Sequence, residues 1–525
     1  MSAVAAAPAR AAAPDPGRTD PGPTRWVLGA LVLTVVAGVA FRFVTRSDLW
    51  LDEALTVNIA KLPLSDLRDA LRHDGAPPLF YVLLHGWIKV FGSSDAAVRS
   101  LSGVISIATL PAAWLAGRRL GGRWGAWAAV AVLASSPYAI RYATETRMYS
   151  LAMFLVLWGY VALRRALERG SFPLSVVLAV ITGALCYTLY WSFYLLAVVA
   201  LGVVWRAWKA SDLTDRQAAR GVLVAMIAGG LTFVPWLSTF RYQLQHTGTP
   251  WGNARLPWFG LAEAFAQFAG GDKHAEAFVY LPALIVLPLL ALFGAAADRT
   301  HIELDLRTRP AVRWETVAAF ATLVLGLVVS YIGSTAFEGR YAAVMFPLLA
   351  LVVAYSVMTF ASIRVRAGVL AFIVLLGFAG GVRNATENRT QAAQVADVIN
   401  AEAKPGDTVV FCPDQIGPAV HRLIDPSLHL TQVTYPRATP PLLVDWVDYV
   451  DTIRATDPGA FARRVLTRAG DHAIWYVYAF GYHNVEGRCE ALGNTLASRR
   501  PSTQRVVAND DKYFEYTGLF EYPPS

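Results

Sequence analysis

Apolar blocks recur from residue 26 to residue 382, and they constrain the fold more than any other feature. Each is close to the length of about 20 residues that a helix needs to cross a hydrocarbon core. Buried helices of a soluble protein are shorter and keep a polar face. The 525 residues are 55% hydrophobic and only 16% charged, where a soluble domain would carry about a quarter charged. An α-helical polytopic membrane protein follows. Its spans are expected near 26–44, 100–117, 124–140, 149–163, 173–190, 192–205, 221–240, 277–297, 315–334, 342–360 and 367–382, about eleven in all.

The formal net charge of +8 does not point to nucleic acid, because the cations sit in short clusters between apolar blocks. One set holds Arg118, Arg119 and Arg123, then Arg164, Arg165 and Arg169, then Arg206, Lys209, Arg216 and Arg220. It continues with Arg299, Arg307, Arg309 and Arg313, then Arg364 and Arg366. Cation-rich short loops mark the cytoplasmic side of a membrane protein. The expected localisation is therefore the cell membrane, multi-pass, with the N-terminus cytoplasmic and the C-terminal region outside. Arginine outnumbers lysine and alanine is abundant, as in high-GC bacterial genomes.

The chain divides into three segments. Residues 1–24 are rich in Ala, Pro and Gly and read as a disordered cytoplasmic tail, without the pattern of a signal peptide. Residues 25–383 form the transmembrane part, with an outer loop at 45–99. Within that loop, 53–62 and 78–91 are amphipathic, and 78–91 is expected to lie in the interface with Tyr81, Trp87 and Lys89 at headgroup level. Residues 384–525 read as an extracytoplasmic α/β domain, with helices at 391–401 and 460–469 and strands at 408–412 and 473–478. Of the three cysteines, Cys186 lies in an apolar block, while Cys412 and Cys489 could pair if their region is outside.

Four features on the expected outer side carry chemistry. Asp52 and Glu53 follow the first span, where carboxylates are costly unless solvated or useful. His73 and Asp74 lead into a Gly-Ala-Pro-Pro turn, although Asp74 alone reads equally well as a turn residue. Arg141, Glu145 and Arg147 crowd a very short loop between two spans, and outer loops ordinarily avoid arginine. Glu338, Arg340 and Tyr341 enter a span; alone, Arg340 would be an interfacial arginine. Carboxylates and arginines from separate loops on one face suit sugar transfer from a lipid phosphate. A base takes the acceptor proton, cations hold the leaving phosphate, and the lipid tail stays in the bilayer.

The segments LDEA (51–54), DGAPPLFYVLLHGWIKVFG (74–92), RYATETRMYSL (141–151) and EGRYAAVMFP (338–347) together resemble the GT-C superfamily of glycosyltransferases. Within it, the chain is most similar to the polyprenyl-phosphate-mannose protein mannosyltransferase family, which includes the lipid A aminoarabinose transferases. The resemblance spans 26–383, is strongest over 48–160 and is weak beyond 383. It implies a polyprenyl-phosphate-sugar donor, inverting transfer and an extracytoplasmic site. It implies Asp52 as the catalytic carboxylate, with Glu53 supporting it or holding a divalent metal such as magnesium or manganese. Arg147, Arg340 and Tyr341 would hold the donor phosphate, and His73, Asp74, Arg141 and Glu145 would line the cavity. Relatives often carry histidine where this chain has Ala76, so that role is absent here or falls to His73. The partners implied are the donor, membrane lipids and a cell-envelope acceptor. A lipid or saccharide flippase is the alternative, but its charges should lie at mid-depth. A non-catalytic envelope subunit is a third reading.

Overall fold

The computed structural model describes residues 22–271, 275–307, 311–480, 482, 485 and 487–524. Most of the expected tail, and Arg309, lie outside these residues. The membrane part is built from α1 (Arg25–Phe41), α2 (Leu51–Ala60), α3 (Leu67–Asp74), α4 (Leu79–Phe91), α5 (Asp95–Ser135), α6 (Pro137–Ala143), α7 (Tyr149–Arg169) and α8 (Phe172–Cys186). It continues through α9 (Ser192–Lys209), α10 (Leu213–Leu231), α11 (Leu237–His246), α12 (Pro257–Phe268), α13 (Ala275–Phe293), α14 (Arg313–Ile332), α15 (Phe346–Ser356) and α16 (Ile363–Thr386). A short hairpin, β1 (Gly294–Ala296) with β2 (Ile302–Leu304), joins α13 to α14.

Seven stretches of helix among the described residues are long and apolar enough to cross a membrane, and α1, α4, α8 and 346–359 are shorter apolar helices. Every expected span meets a helix, but two of them meet one element. Spans 100–117 and 124–140 both fall in α5, which is broken at Gly121 and Gly122. Gly122 has φ +59°, a left-handed backbone that costs glycine little. The two halves turn back on each other so closely that a Cβ on Gly117 would lie 2.3 Å from the Gly125 carbonyl oxygen. Small residues permit such crossings where lipid supplies no hydrophobic drive.

A charged side chain fastens α1 to this hairpin. Arg42 is buried just past α1, and its guanidinium donates to Ser106 Oγ (2.9 Å), to the Ala134 carbonyl (3.0 Å) and to the Leu133 carbonyl (2.9 Å).

Segments α2 and α4 differ from the interfacial reading. Helix α2 is buried almost all round. Helix α4 buries Phe80, Tyr81, Leu84 and His85, and Tyr81 is wholly inaccessible rather than at headgroup level. The cause is polar: the Tyr81 hydroxyl donates to Asp74 Oδ2 at 2.6 Å, which draws the ring inward. Trp87 is half-buried and donates to the Ala97 carbonyl at 2.9 Å.

Beyond α16 the chain forms a five-stranded mixed sheet: β3 (Thr408–Cys412), β4 (Thr431–Thr434), β5 (Ile474–Tyr478), β6 (Thr503–Val506) and β7 (Gly518–Tyr522), in the order β4-β3-β5-β7-β6. Strand β3 runs parallel to β4 and β5, and β7 is antiparallel to β5 and β6. Both β3 and β5 are buried at every position, which explains their unbroken apolar sequences. Val409, Phe411, Trp475 and Val477 pack with Val395 and Ile399 of α17 (Ala392–Glu402). Val410, Ile474 and Tyr476 pack on the other face with Phe461 and Val465 of α18 (Pro458–Ala469) and Leu492 and Leu496 of α19 (Arg488–Ala497).

Cys412 and Cys489 form a disulfide across 77 residues of sequence, and Cys186 is a buried free thiol. Closing a loop of this length removes about 4.5 kcal/mol of unfolded-chain entropy in the simplest account. A Cys412→Ser, Cys489→Ser double variant is expected to unfold at lower temperature. An unchanged midpoint, in oxidising and reducing buffer alike, would count against a stabilising role.

The sheet region docks on one end of the bundle. Arg422 pairs with Asp95 at 2.8 Å, Asn58 donates to the Leu442 carbonyl at 2.8 Å, and the Asp448 N–H donates to the His246 carbonyl at 2.8 Å. This end also carries α2–α4, the loop after α6 and the turn before α15.

Candidate functional site

Helix α2 sets the site. Its first turn holds Asp52 and Glu53, where carboxylates complement the positive end of the helix dipole. The residue before it, Trp50, is extended and offers no side-chain cap. The Leu51 N–H instead donates to Glu515 Oε1 at 2.9 Å.

Asp52 and Glu53 are neighbours in sequence with opposite surroundings. The Asp52 side chain keeps 17% of its surface accessible. Its Oδ2 lies 3.3 Å from Arg340 Nη1 and 3.8 Å from Arg147 Nη2. Glu53 is fully buried. Arg99 grips it with Nε to Oε1 at 2.8 Å and Nη2 to Oε2 at 2.5 Å, and the Thr146 N–H adds a bond to Oε1 at 2.9 Å. Burial opposes ionisation of Glu53, but Arg99, Arg389 and the Thr146 N–H together outweigh it and hold the carboxyl below the usual glutamate range.

Both carboxylate oxygens of Glu53 are thus occupied by α5 and the 144–148 loop. They do not fit a metal ligand. Among the described residues, no group of three or more His, Cys, Asp or Glu side chains is placed to hold a metal ion.

The two arginines near Asp52 are held from different directions. Arg147 Nη1 donates to Thr56 Oγ1 at 2.8 Å and to the Tyr81 hydroxyl at 3.4 Å. Arg340 lies in a 3₁₀ turn, Gly339–Val344, fixed by the Tyr138 hydroxyl on the Gly339 carbonyl at 2.9 Å. Its guanidinium sits over the rings of Trp50 (5.7 Å) and Tyr341 (5.8 Å). Tyr341 stacks on Trp191 at 5.8 Å. The Nε of Arg147 and of Arg340 are both buried without an acceptor among the described residues. Buried unpaired donors are costly, and their presence beside a carboxylate suits an anion arriving from outside.

The remaining expected site residues divide. Asp74 joins the cluster through Tyr81. Desolvation pushes its carboxyl above the ordinary aspartate range, against the pull of Arg147 and of the Tyr81 hydroxyl. His73 does not join. Its Nδ1 lies 2.8 Å from Asp445 Oδ1, and its carbonyl accepts from the Trp446 N–H at 3.1 Å, so it docks the sheet region. Glu145 is buried behind the cluster and pairs with Arg389 Nη1 at 3.2 Å. Desolvation raises its carboxyl, while Arg389 and Arg141 oppose the rise. Arg141 acts on Glu145 through charge, and its own Nε is buried without an acceptor among the described residues.

Four residues outside the expected set shape the site: Trp50, Arg99, Arg389 and Glu515. Arg99 had a signal, since an arginine one turn into an apolar helix needs a partner. Arg389 and Glu515 had none, as they approach from beyond the last span.

No protein-family model matches the chain, and no curated protein matches it in sequence. Solved structures do match. ArnT from Cupriavidus metallidurans in the apo state superposes with TM-score 0.59 at 12% identity, over 94% of this chain and 98% of that one. ArnT bound to undecaprenyl phosphate gives TM-score 0.51 at 13% identity, over 94% and 97%. An Archaeoglobus fulgidus oligosaccharyltransferase tethered to an acceptor peptide gives 0.50 at 12%, over 95% of this chain and 74% of that one. At these identities the likeness is one of architecture, carried over nearly the whole length. The chain shares the fold of these structures, a polytopic helical bundle with an α/β region packed on one end.

Proposed function

We propose that this protein is a membrane glycosyltransferase that moves a sugar from a polyprenyl-phosphate donor to a cell-envelope acceptor, with inversion at the anomeric carbon. The observation that carries the reading is Asp52 flanked by Arg340 at 3.3 Å and Arg147 at 3.8 Å, each arginine holding a buried unpaired Nε. Asp52 takes the proton of an acceptor hydroxyl. That oxygen bonds to the anomeric carbon as the bond to the phosphate oxygen breaks, and the electron pair leaves with the phosphate. Arg147 and Arg340 meet the charge that develops there, and Tyr341 supports Arg340. No step here runs through a metal.

In this reading the lipid tail lies in an apolar groove of the bundle. A cavity of about 650 Å³ runs between α7, α8, α9 and α14, lined by apolar side chains such as Val156, Leu178, Leu195, Val199, Ala318 and Leu348. The lining also includes Arg164, Arg206, Lys209 and Asp215 and stops short of Trp191, which stacks on Tyr341. The ArnT structure with undecaprenyl phosphate bound lends support to a donor of this kind. In this reading residues 25–383 are the catalytic part and 384–525 the extracytoplasmic domain. The catalytic face is extracytoplasmic, and the sugar is of the mannose or arabinose type.

The test is to incubate purified protein with a panel of polyprenyl-phosphate sugars and measure released polyprenyl phosphate. One donor is expected to be consumed. Arg340→Ala should raise the KM for it by about tenfold or more, as loss of a charge-assisted phosphate contact does. Binding of a donor with no release under any acceptor would favour the non-catalytic reading.

A further inference from the structure

We propose that Glu515, contributed by the sheet region, is a positioning residue for Asp52: it fixes the first turn of α2, so the transfer site is complete only when that region is docked. This rests on the reading of Asp52 as the base. The first N–H groups of a helix need acceptors from outside it, and Trp50 provides no side-chain acceptor. Glu515 Oε1 takes the Leu51 N–H at 2.9 Å, across 464 residues of sequence. Leu51 immediately precedes Asp52, so this contact acts on the peptide that carries the carboxylate.

Glu515 is itself held firmly. Its N–H donates to the Arg389 carbonyl at 2.9 Å, and its carbonyl accepts from the Gln391 N–H at 3.0 Å. Phe514 lies edge-on to Trp50 at 5.4 Å. Trp50 in turn lies under the Arg340 guanidinium. The two residues Phe514 and Glu515 thus touch both the helix bearing Asp52 and the ring that seats Arg340. Displacing such a group by about 1 Å costs a reaction about 100-fold.

The burial of Glu515 accords with an acceptor rather than a charge. The side chain is inaccessible, and Oε2 has no partner among the described residues. Burial pushes its carboxyl up to about 8. Burial therefore favours the neutral form. It adds no third negative charge beside Asp52 and Glu53, while Oε1 still accepts from Leu51. An amide oxygen would serve equally.

The test compares Glu515→Ala with Glu515→Gln in the full chain. Glu515→Ala is expected to lower kcat by about 10–100-fold with the donor KM little changed, since Arg147 and Arg340 remain. Glu515→Gln should keep near wild-type kcat. Hydrogen exchange over 50–56 provides a readout without turnover: in Glu515→Ala these amides should exchange about fivefold faster, the effect of a lost helix cap. Wild-type kcat and exchange in Glu515→Ala would overturn the proposal, and so would a Glu515→Gln variant as impaired as the alanine one. Should Asp52 prove not to be the base, turnover of an Asp52 variant would reveal it, while the exchange readout would still report on Glu515.

Discussion

Asp52→Asn is expected to lower sugar transfer by ~10²–10⁴-fold while the protein still folds, the range lost when a positioned general base is removed. Asparagine keeps the shape and an oxygen for Arg340 and Arg147, but it cannot accept the acceptor's proton. The side chain is partly open, so the exchange leaves no newly buried group unsatisfied. Donor binding should hold or tighten, because the carboxylate that faces both arginines no longer repels the incoming phosphate. Polyprenyl phosphate release, measured with donor binding and the thermal midpoint, checks all three expectations. Wild-type turnover in the variant would remove Asp52 from the mechanism.

The neighbouring carboxylate should behave in the opposite way. Glu53→Ala is expected to destabilise the fold by about 3–5 kcal/mol, because it leaves a buried arginine without its counter-charge. The other bonds of the Arg99 guanidinium are to neutral acceptors, the Ser47 carbonyl at 2.5 Å and the Asp48 carbonyl at 3.0 Å. Replacing both partners, as Glu53→Gln with Arg99→Met, should restore part of the loss, since an uncharged pair avoids the stranded charge and the glutamine oxygen can still accept from the Thr146 N–H. Thermal unfolding in detergent reads the difference. A Glu53→Ala protein of normal stability whose activity had become metal-dependent would show that the pair is not primarily structural.

These two residues mark how far the amino-acid sequence alone can be read. Their position after the first apolar block, together with the arginines of the 141–151 and 338–347 segments, is legible because hydrophobic periodicity sets which loops share a face. That these residues share one face follows from that topology, their joint role is what the family resemblance implies, and their approach within 4 Å is seen only in the structure. The division of labour inside the pair is not legible. Asp52 and Glu53 differ by one position on a helix, and only packing turns one outward and the other onto Arg99. Glu145 misleads for the same reason: its loop is at the site, but its partner is Arg389, from a segment that reads as a separate domain. Tyr81 looks like an interfacial tyrosine because Asp74, seven residues earlier, gives no sign in sequence that it will accept a hydrogen bond from the phenol. Glu515 is the extreme case, since spacing carries no information about a contact made across 464 residues.

The arginine at the end of the first helix imposes a timetable on membrane insertion. Two carbonyls that satisfy the Arg42 guanidinium belong to Leu133 and Ala134, at the far end of the second arm of α5. A ribosome delivers those residues only after both arms of the hairpin have been made. Until then α1 can sit in the bilayer but cannot seat fully against the bundle, for water and headgroups must stand in for the missing acceptors. A nascent chain halted before residue 133 should therefore leave α1 still accessible to crosslinking by the insertion machinery.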